Sequence, residues 1–212
     1  EGDAYTVAFK ITGLMYDMLV GGAVSAALIP VLSGYIARDD EETGWKVVGT
    51  FINTVIVAMV AVCFLGIIFA PQVVSLIGAG FETDAQKQLT VDLIRILFPS
   101  VAFLMMAGLC NGVLNSYNRF AAAAYGPSLY NIGSALSIIV FSVSRWGVRG
   151  VAFGVMLSSL VYFLFQLSFA VKNLKLYRFK FYLKHEGSKK LFKLAIPSLI
   201  SSAIVQINAV IS

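Results

Sequence analysis

Residues 3–35 read DAYTVAFKITGLMYDMLVGGAVSAALIPVLSGY, an apolar stretch that is long enough to cross a bilayer. It nevertheless contains Asp3, Lys10 and Asp17, which stand seven residues apart and therefore on one face of a helix. Each charge at a helix centre costs roughly 2.5–3.5 kcal/mol on insertion scales, so such residues usually face a bundle interior or a watery cavity. The stretch predicts a polar path through a membrane.

Long apolar stretches recur along the rest of the chain. Of its 212 residues 58% are hydrophobic and 13% are charged, whereas a soluble domain has roughly 45–50% apolar residues. Further stretches of about 20 residues or more lie at 47–77, 89–114, 120–143, 148–171 and 191–211. Because an open sheet cannot satisfy its backbone in lipid, the sequence predicts an all-α, polytopic transmembrane helix bundle with six crossings.

Both cysteines and the last residue of the sequence fall in apolar surroundings. Cys63 and Cys110 lie within predicted spans, which favours buried free thiols over a disulfide or a metal pair. The chain starts at Glu1 rather than at Met and stops at Ser212 inside an apolar run. We expect a fragment that is cut at both ends, without a secretory signal peptide.

Half of the sixteen basic residues lie in one stretch, 172–193. The positive-inside rule places this stretch in the cytoplasm. Counting crossings backwards puts 115–119 and 38–46 on the same side and leaves 78–88 and 144–150 outside. Arg145 and Arg149 in the last loop weakly oppose this orientation, which still favours an outer position for Glu1.

The basic stretch has two interpretations. It is either a signal of topology with some attraction to anionic lipid, or a platform for headgroups, since Phe179, Phe181, Tyr182 and Leu183 alternate with its cations. Topology alone explains the charge, and we favour that interpretation.

Helix punctuation is regular along the chain. Pro71 ends a span, and Glu82-Thr83-Asp84 supplies an N-cap for the next helix. Pro99, Pro127 and Pro197 predict kinks, which membranes tolerate when neighbouring groups satisfy the freed backbone; ordinary kinks and the hinges of a transporter both remain open. Gly150 and Gly154 form a GxxxG pair that favours close helix contact.

Asp17 is the leading functional candidate among the polar residues within the predicted membrane spans. Lys10 can snorkel to the interface, whereas the short side chain of Asp17 lies halfway along its span. Ser25 follows on the same face, although, taken alone, it is better explained by a bond to its own helix backbone. Asp92 and Arg95 predict an ion pair within one helix.

Amides inside the later spans predict hydrogen bonds between helices. Asn111 and Asn115, with Arg119, mark the inner end of the third span, and Asn131 and Gln166 lie within later spans. No catalytic set stands out: His185 stands alone in the basic stretch, and the motifs of metalloproteases, ATPases and hydrolases are missing from the sequence. We expect no enzyme, no metal site, no cofactor and no nucleic-acid partner.

Several stretches together resemble the MurJ/MviN family. DAYTVAFK at 3–10, GAVS at 22–25 and IPVL at 29–32 resemble the family's second helix. GVLNSYNRF at 112–120 is similar to the end of its fourth helix, PSLYNI at 127–132 to the start of its fifth, and KLAIP at 193–197 to the beginning of its seventh. The resemblance runs through the whole chain in order.

The resemblance implies a fold, a membrane and a substrate. It implies a two-lobed transporter of about fourteen helices in the multidrug/oligosaccharidyl-lipid/polysaccharide exporter superfamily, of which this chain holds about helices two to seven. Residues 1–174 would form most of the N-terminal lobe with five helices, 175–190 a basic cytoplasmic or interfacial linker, and 191–212 the start of the C-terminal lobe. The implied activity is flipping of lipid II, an undecaprenyl-pyrophosphate-linked peptidoglycan precursor, across the bacterial cytoplasmic (inner) membrane.

The middle of the first stretch departs from the family pattern. The family often has an Arg-Arg pair where this chain has Tyr16 and Asp17, and a glutamate where it has Gly21. The resemblance carries over Asp3, Lys10, Ser25 and Arg119 as matching positions. The candidates for the substrate cavity are Asp3, Lys10, Tyr16, Asp17 and Ser25. The structural or cytoplasmic-end candidates are Asn115, Arg119 and Asn131.

Three functions follow as alternatives. The first is a lipid II flippase that works by alternating access, with membrane lipids and cell-wall synthesis proteins as further partners. The second is a related exporter of polysaccharide lipids or drugs, driven by a coupling ion (Na⁺ or H⁺) or by the membrane potential. Asp17 would then be the acidic residue that couples transport to the ion. The third is a non-transporting membrane scaffold for cell-wall synthesis.

Overall fold

The computed structural model describes residues 27–77, 83–142 and 144–211, and these residues contain helices and no strand. The helices are α1 (Ile29–Ile36), α2 (Glu41–Ile68), α3 (Ala70–Ile77), α4 (Asp84–Ser116), α5 (Phe120–Ser142), α6 (Gly147–Ala170) and α7 (Glu186–Ile211), with a 3₁₀ turn at Val171–Asn173. The predicted all-α class is confirmed.

Three of the described helices are long and apolar enough to cross a membrane. They are Glu41–Ile68, Asp84–Ser116 and Gly147–Asn173. Helices α5 and α7, with 23 and 26 residues, occupy two more of the predicted apolar stretches. The count of six crossings stays a prediction, because most of the first stretch lies outside the described residues.

Polar caps set where the long helices begin. Helix α2 starts at Glu41, because the Asp40 carboxylate accepts the Thr43 N–H at 3.4 Å. The predicted loop 38–46 is therefore mostly helix, since capping residues extend a helix beyond its apolar part. Thr83 caps α4 as predicted and accepts the Gln86 N–H.

The predicted span 47–77 is two helices rather than one. Helix α2 ends at Ile68 and α3 begins at Ala70, with Phe69 between them. Pro71 lies in the first turn of α3, where its missing N–H costs no helical hydrogen bond. The sequence predicted that the span ends at Pro71. In the structure the long helix ends at Ile68, three residues earlier, and the proline lies at the start of the next, short helix.

Helix α4 is the centre of the bundle and contacts α1, α2, α3, α5 and α6. Its first half packs Leu93, Ile94 and Leu97 into a core that includes Ala152 and Val155 of α6. Its second half supplies Leu109 and Val113 to another core, which α1, α2 and α7 complete. One helix therefore links the two ends of the molecule.

Helices α5 and α6 pack through glycines. A Cβ on Gly154 would lie 2.3 Å from the Ser137 Cβ, and one on Gly133 would lie 2.6 Å from the Ser158 Oγ. No such separation is tolerated, so both positions require glycine for the observed helix distance. The close contact that the GxxxG pair predicted is confirmed, and α5 supplies its small residues as well.

Helix α7 packs on α2, where the rings of Phe51 and Phe192 are 5.8 Å apart. It begins at Glu186, so the last five residues of the predicted linker 175–190 are already helical. The division of the chain into two lobes and a linker stays a prediction.

Candidate functional site

The structure describes some of the predicted site residues and leaves others outside the described ranges. Asp3, Lys10, Tyr16, Asp17 and Ser25 lie outside the described residues, so their predicted role in a cavity stays a prediction. Asn115, Arg119 and Asn131 are described, and the site is built from the end of the bundle where the first two lie.

Segments 37–46, 115–119 and 172–190 meet at one end, which we call the basic end. The Tyr117 hydroxyl accepts a 2.9 Å hydrogen bond from Trp45 Nε1 and donates to the Glu41 carboxylate. The rings of Trp45 and Tyr177 are 6.2 Å apart, edge to face. These contacts bring together the three segments that the charge pattern assigned to one side.

Tyr117 is held neutral at this end. Burial, followed by the hydrogen bond to the Glu41 carboxylate, raises the pKa of Tyr117 to about 12. The phenol therefore keeps its proton at neutral pH and can donate it to Glu41. This bond joins the start of α2 to the end of α4.

The sequence Leu114–Arg119 ends α4 in a Schellman motif. Asn118 has a φ of 58°, the left-handed conformation that asparagine tolerates. Its N–H bonds to the Asn115 carbonyl at 3.0 Å, and the Arg119 N–H bonds to the Leu114 carbonyl at 2.9 Å. Arg119 closes the motif with its backbone and leaves its side chain exposed.

A polar cluster joins α4, α5 and α6 around one carbonyl group. In an α-helix the Ala123 carbonyl would accept the N–H of residue 127, but that residue is Pro127 and has none. The side-chain amides of Asn111 and Gln166 both donate to the Ala123 oxygen at 3.1 Å. The predicted hydrogen bonds between helices are confirmed for both amides, and they satisfy the carbonyl that the proline frees.

Asn115 supports this cluster from within its own helix. Its Nδ2 donates to the Asn111 Oδ1 at 2.7 Å, which leaves the Asn111 amide free to point at Ala123. Asn115 thus orients the donor instead of bridging helices itself.

Two further residues of the α5 region have distinct roles. Gly126 makes room for the cluster, because a Cβ there would lie 2.2 Å from the Tyr162 ring and 2.4 Å from Gln166 Nε2. Asn131 is exposed on α5 and makes no side-chain hydrogen bond within the described residues. The interhelical bond expected for Asn131 is thus not formed among these residues, and it stays a prediction.

A lone amide of α2 fixes the segment that follows α6. Asn53 is fully buried and donates to the Lys180 carbonyl at 2.8 Å, while Tyr177 donates its hydroxyl to the Asn53 Oδ1 at 2.5 Å. The Tyr182 N–H bonds to the Thr50 Oγ1 at 2.9 Å. Sequence reasoning missed Asn53, although a single amide inside an apolar run is the signal that could have found it.

Two of the cavities near the basic end are lined by residues of α2. One, of about 200 Å³, is apolar and lies between α2, α4 and α6, with Met106 and Phe163 among its lining. The other, of about 320 Å³, is partly polar and is lined by Glu42, Trp45, Lys46, Leu176, Arg178 and Tyr182. Of these two, only the second offers charged groups to a ligand. A further cavity, of about 630 Å³, is lined by Phe181, Tyr182, Leu183, Lys184 and His185.

At the opposite end, Asp92 pairs with a different arginine from the predicted one. Its carboxylate is 2.7 Å from the Arg149 guanidinium of α6, while Arg95 donates to the Ile67 carbonyl at 3.4 Å. The predicted pair between Asp92 and Arg95 is wrong, because Arg149 of α6 lies close enough to Asp92 to form the ion pair instead. The pair also gives a structural role to Arg149, one of the two arginines in loop 144–150 that opposed the positive-inside rule.

Two expectations concern cysteine and metal chemistry. Cys63 and Cys110 are buried free thiols, as predicted. Among residues 27–77, 83–142 and 144–211, no group of three or more His, Cys, Asp or Glu side chains could hold a metal ion.

Comparison with known proteins gives one family over the full chain. The family model described as lipid II flippase MurJ matches residues 1–212. A probable lipid II flippase MurJ of Buchnera aphidicola subsp. Schizaphis graminum is 31% identical over 98% of the chain and 41% of the relative. One of Vibrio cholerae is 30% identical over 98% and 41%. The chain spans about two fifths of the length of these relatives.

Solved structures share the fold. An inward-facing multidrug resistance MATE family transporter of the MOP superfamily matches with a TM-score of 0.78 at 18% identity, over 96% of this chain and 47% of the transporter. An inward closed conformation of lipid II flippase MurJ matches with a TM-score of 0.64 at 22% identity, over 97% and 48%. Both likenesses show the fold of about one half of such a transporter.

Proposed function

Because the chain belongs to the lipid II flippase MurJ family, whose model matches it from residue 1 to residue 212, we propose that the protein moves lipid II from the inner to the outer leaflet of the membrane. The family places it in the cytoplasmic membrane as a multi-pass transport protein. The match over the full chain is the observation that carries the proposal.

Alternating access would use α4, α5 and α6 as one rigid unit. The Ala123 carbonyl, bound by Asn111 and Gln166, joins these three helices at the level of Pro127. The glycine contacts between α5 and α6 leave no space for sliding. A unit of this kind moves as a body, so the conformational change would occur at its borders with other helices.

The substrate would travel beside the first apolar stretch. Its tail would stay in lipid while its pyrophosphate and sugars enter a polar cavity, for which Asp3, Lys10, Tyr16, Asp17 and Ser25 are the proposed lining. Pyrophosphate needs cations, and within this stretch only Lys10 is one. Further cations from elsewhere in the cavity would complete the site and neutralise Asp17.

A complementation experiment tests the proposal. The complete protein is expressed in cells depleted of their own lipid II flippase, and growth is scored together with the amount of lipid II that reaches the outer leaflet. We expect rescue with lipid II appearing outside, and loss of both with Lys10→Ala. Normal folding and insertion without any lipid II movement would contradict the proposal.

A cation-coupled exporter of drugs or of related polysaccharide lipids is the second candidate. Asp17 favours it, since an acidic group inside a span suits Na⁺ or H⁺ better than a pyrophosphate. The discriminating experiment measures efflux of a cationic dye by the complete protein with and without a Na⁺ or proton gradient. Gradient-dependent efflux that Asp17→Asn abolishes would favour this candidate over the flippase.

Both candidates are transport without covalent chemistry, and we propose no catalytic residue. A coupling ion or the membrane potential would supply the energy. A non-transporting scaffold that recruits cell-wall synthesis proteins is the third candidate, and it would keep its function in Asp17→Asn and Lys10→Ala, whereas a transporter would not.

A further inference from the structure

The segment 177–182, between the 3₁₀ turn and α7, has a fixed path along α2. Asn53 donates to the carbonyl of Lys180 and accepts from the Tyr177 hydroxyl, and Thr50 accepts the Tyr182 N–H. Both α2 residues are fully buried beneath the segment. A topology signal requires positive charges but no fixed backbone conformation. The buried hydrogen bonds that fix this segment therefore indicate a role besides topology.

Helix α2 gives the depth of this segment relative to the bilayer. Its exposed apolar side chains run from Val57 to Ile68, and we infer that they face lipid. A span of about 20 residues that ends at Ile68 begins at Gly49. Thr50 and Asn53 therefore lie just inside the boundary of the hydrocarbon, and segment 177–182 lies beside them at the interface.

The exposed side chains of the segment suit that position. Phe179 is 62% exposed and Leu183 is 55% exposed, and the rings of Phe179 and Phe181 pack edge to face at 5.6 Å. In water such side chains would be a cost, whereas at a lipid interface they insert next to headgroups. Lys180 and Lys184 alternate with them and remain exposed.

The partly polar cavity opens beside this segment and carries a net positive charge. Lys46 is paired with Glu42 at 2.9 Å. Arg178 lines the same cavity; the Glu42 carboxylate lies close enough to feel its charge, but among the residues that the structure describes no carboxylate forms an ion pair with it. Its planar guanidinium can bind the two oxygens of a phosphate, and Tyr182 also lines the cavity.

We propose that this cavity binds the phosphate headgroup of an anionic glycerophospholipid of the adjacent leaflet, with Phe179, Phe181 and Leu183 contacting its acyl chains. Arg178 binds the phosphate and Lys46 contributes from its pair with Glu42. The cavity volume of about 320 Å³ is large enough for a headgroup. The bound lipid ties the segment, and through Asn53 the start of α2, to the membrane surface.

Native mass spectrometry of the complete protein tests this site. Phosphatidylglycerol and phosphatidylcholine with the same acyl chains are titrated separately, and the number of bound lipids gives an apparent affinity for each. We expect phosphatidylglycerol to bind more tightly, and Arg178→Gln to weaken it roughly fivefold, equivalent to about 1 kcal/mol. Phosphatidylcholine binding should not change, and Arg178→Lys should keep part of the preference.

Lys189→Gln is the matched control, since it removes one exposed positive charge at the start of α7 and outside the cavity. Equal weakening by Lys189→Gln and Arg178→Gln would show diffuse attraction and overturn the site. So would equal binding of the two lipids by the unaltered protein. Displacement of phosphatidylglycerol by millimolar inorganic phosphate would assign the cavity to a free anion instead of a lipid.

Discussion

The side-chain amide of Gln166 donates to the carbonyl oxygen of Ala123 at 3.1 Å. Pro127 has no N–H with which to bind that oxygen, and Asn111 donates to it as well. A buried carbonyl in a membrane without a partner is costly. The two amides therefore compensate for the proline, and in doing so they join three helices.

Removing one amide should destabilise the protein only while the proline is present. We expect Gln166→Leu to lower the free energy of unfolding by roughly 0.5–2 kcal/mol, the range of hydrogen bonds between membrane helices. Adding Pro127→Ala supplies an N–H for the Ala123 oxygen, so the double variant should regain much of that loss. Unfolding in detergent by a graded denaturant measures all three variants.

Asn131→Leu is the matched control, because it removes an exposed amide from the same helix as Pro127. It should leave the stability within experimental error. If Gln166→Leu costs the same with Ala as with Pro at position 127, the carbonyl is not what the amide serves.

Glycine at the contact of α5 and α6 should be essential for packing. Gly154→Ala places its Cβ 2.3 Å from the Ser137 Cβ, and overpacking of this kind costs about 1–3 kcal/mol. Ser137→Gly removes the obstructing atom, so the double variant should recover. Thermal unfolding in detergent measures the effect.

Gly34→Ala provides the comparison, since nothing lies within 4 Å of a Cβ at that position. It should be neutral or stabilise α1 by up to about 1 kcal/mol, because alanine favours a helix. Similar losses for Gly34→Ala and Gly154→Ala would refute the close contact.

Sequence reasoning succeeded where one residue type dictates the local structure. Thr83 was recognisable as a helix cap and Gly154 as a contact residue without knowledge of their neighbours. The hydrogen bonds to the Ala123 carbonyl could be predicted only in part. Pro127 indicates a carbonyl without its helical partner, and Asn111 and Gln166 are possible donors. Their spacing along the chain does not show that these groups lie close together.

Contacts between residues that are far apart in the chain could not be predicted for the same reason. Asp92 had a cation three residues away in Arg95, and local spacing therefore favoured the wrong partner. The position of Arg149 depends on how α6 crosses α4. Asn53 was passed over because two of its three partners are the backbone carbonyls of Arg178 and Lys180, and backbone groups cannot be told apart in a sequence.

The pair at the end opposite the basic end should matter little for stability and should tolerate exchange. Arg149 is 57% exposed in its side chain, and exposed pairs typically contribute less than about 1 kcal/mol. Arg149→Gln should therefore lower the unfolding free energy by no more than that, and less at high salt. Asp92→Arg combined with Arg149→Asp should restore it, whereas Asp92→Arg alone should be the least stable. A full effect of Arg95→Gln with none of Arg149→Gln would reinstate the pairing within α4.

Stability at alkaline pH should report on Tyr117. Its pKa is about 12 in the folded protein, against an ordinary value of about 10. The neutral phenol therefore contributes fully below about pH 10, and this contribution is lost as the pH rises from there through 12. Tyr117→Phe removes the bonds to Glu41 and Trp45, so it should lower stability at pH 8 and flatten the fall between pH 10 and pH 12. Lysines titrate in the same range, so the measured quantity is the difference between the variant and the unaltered protein across pH. A difference that stays constant from pH 8 to pH 12 would show that the phenol is not held neutral by this site.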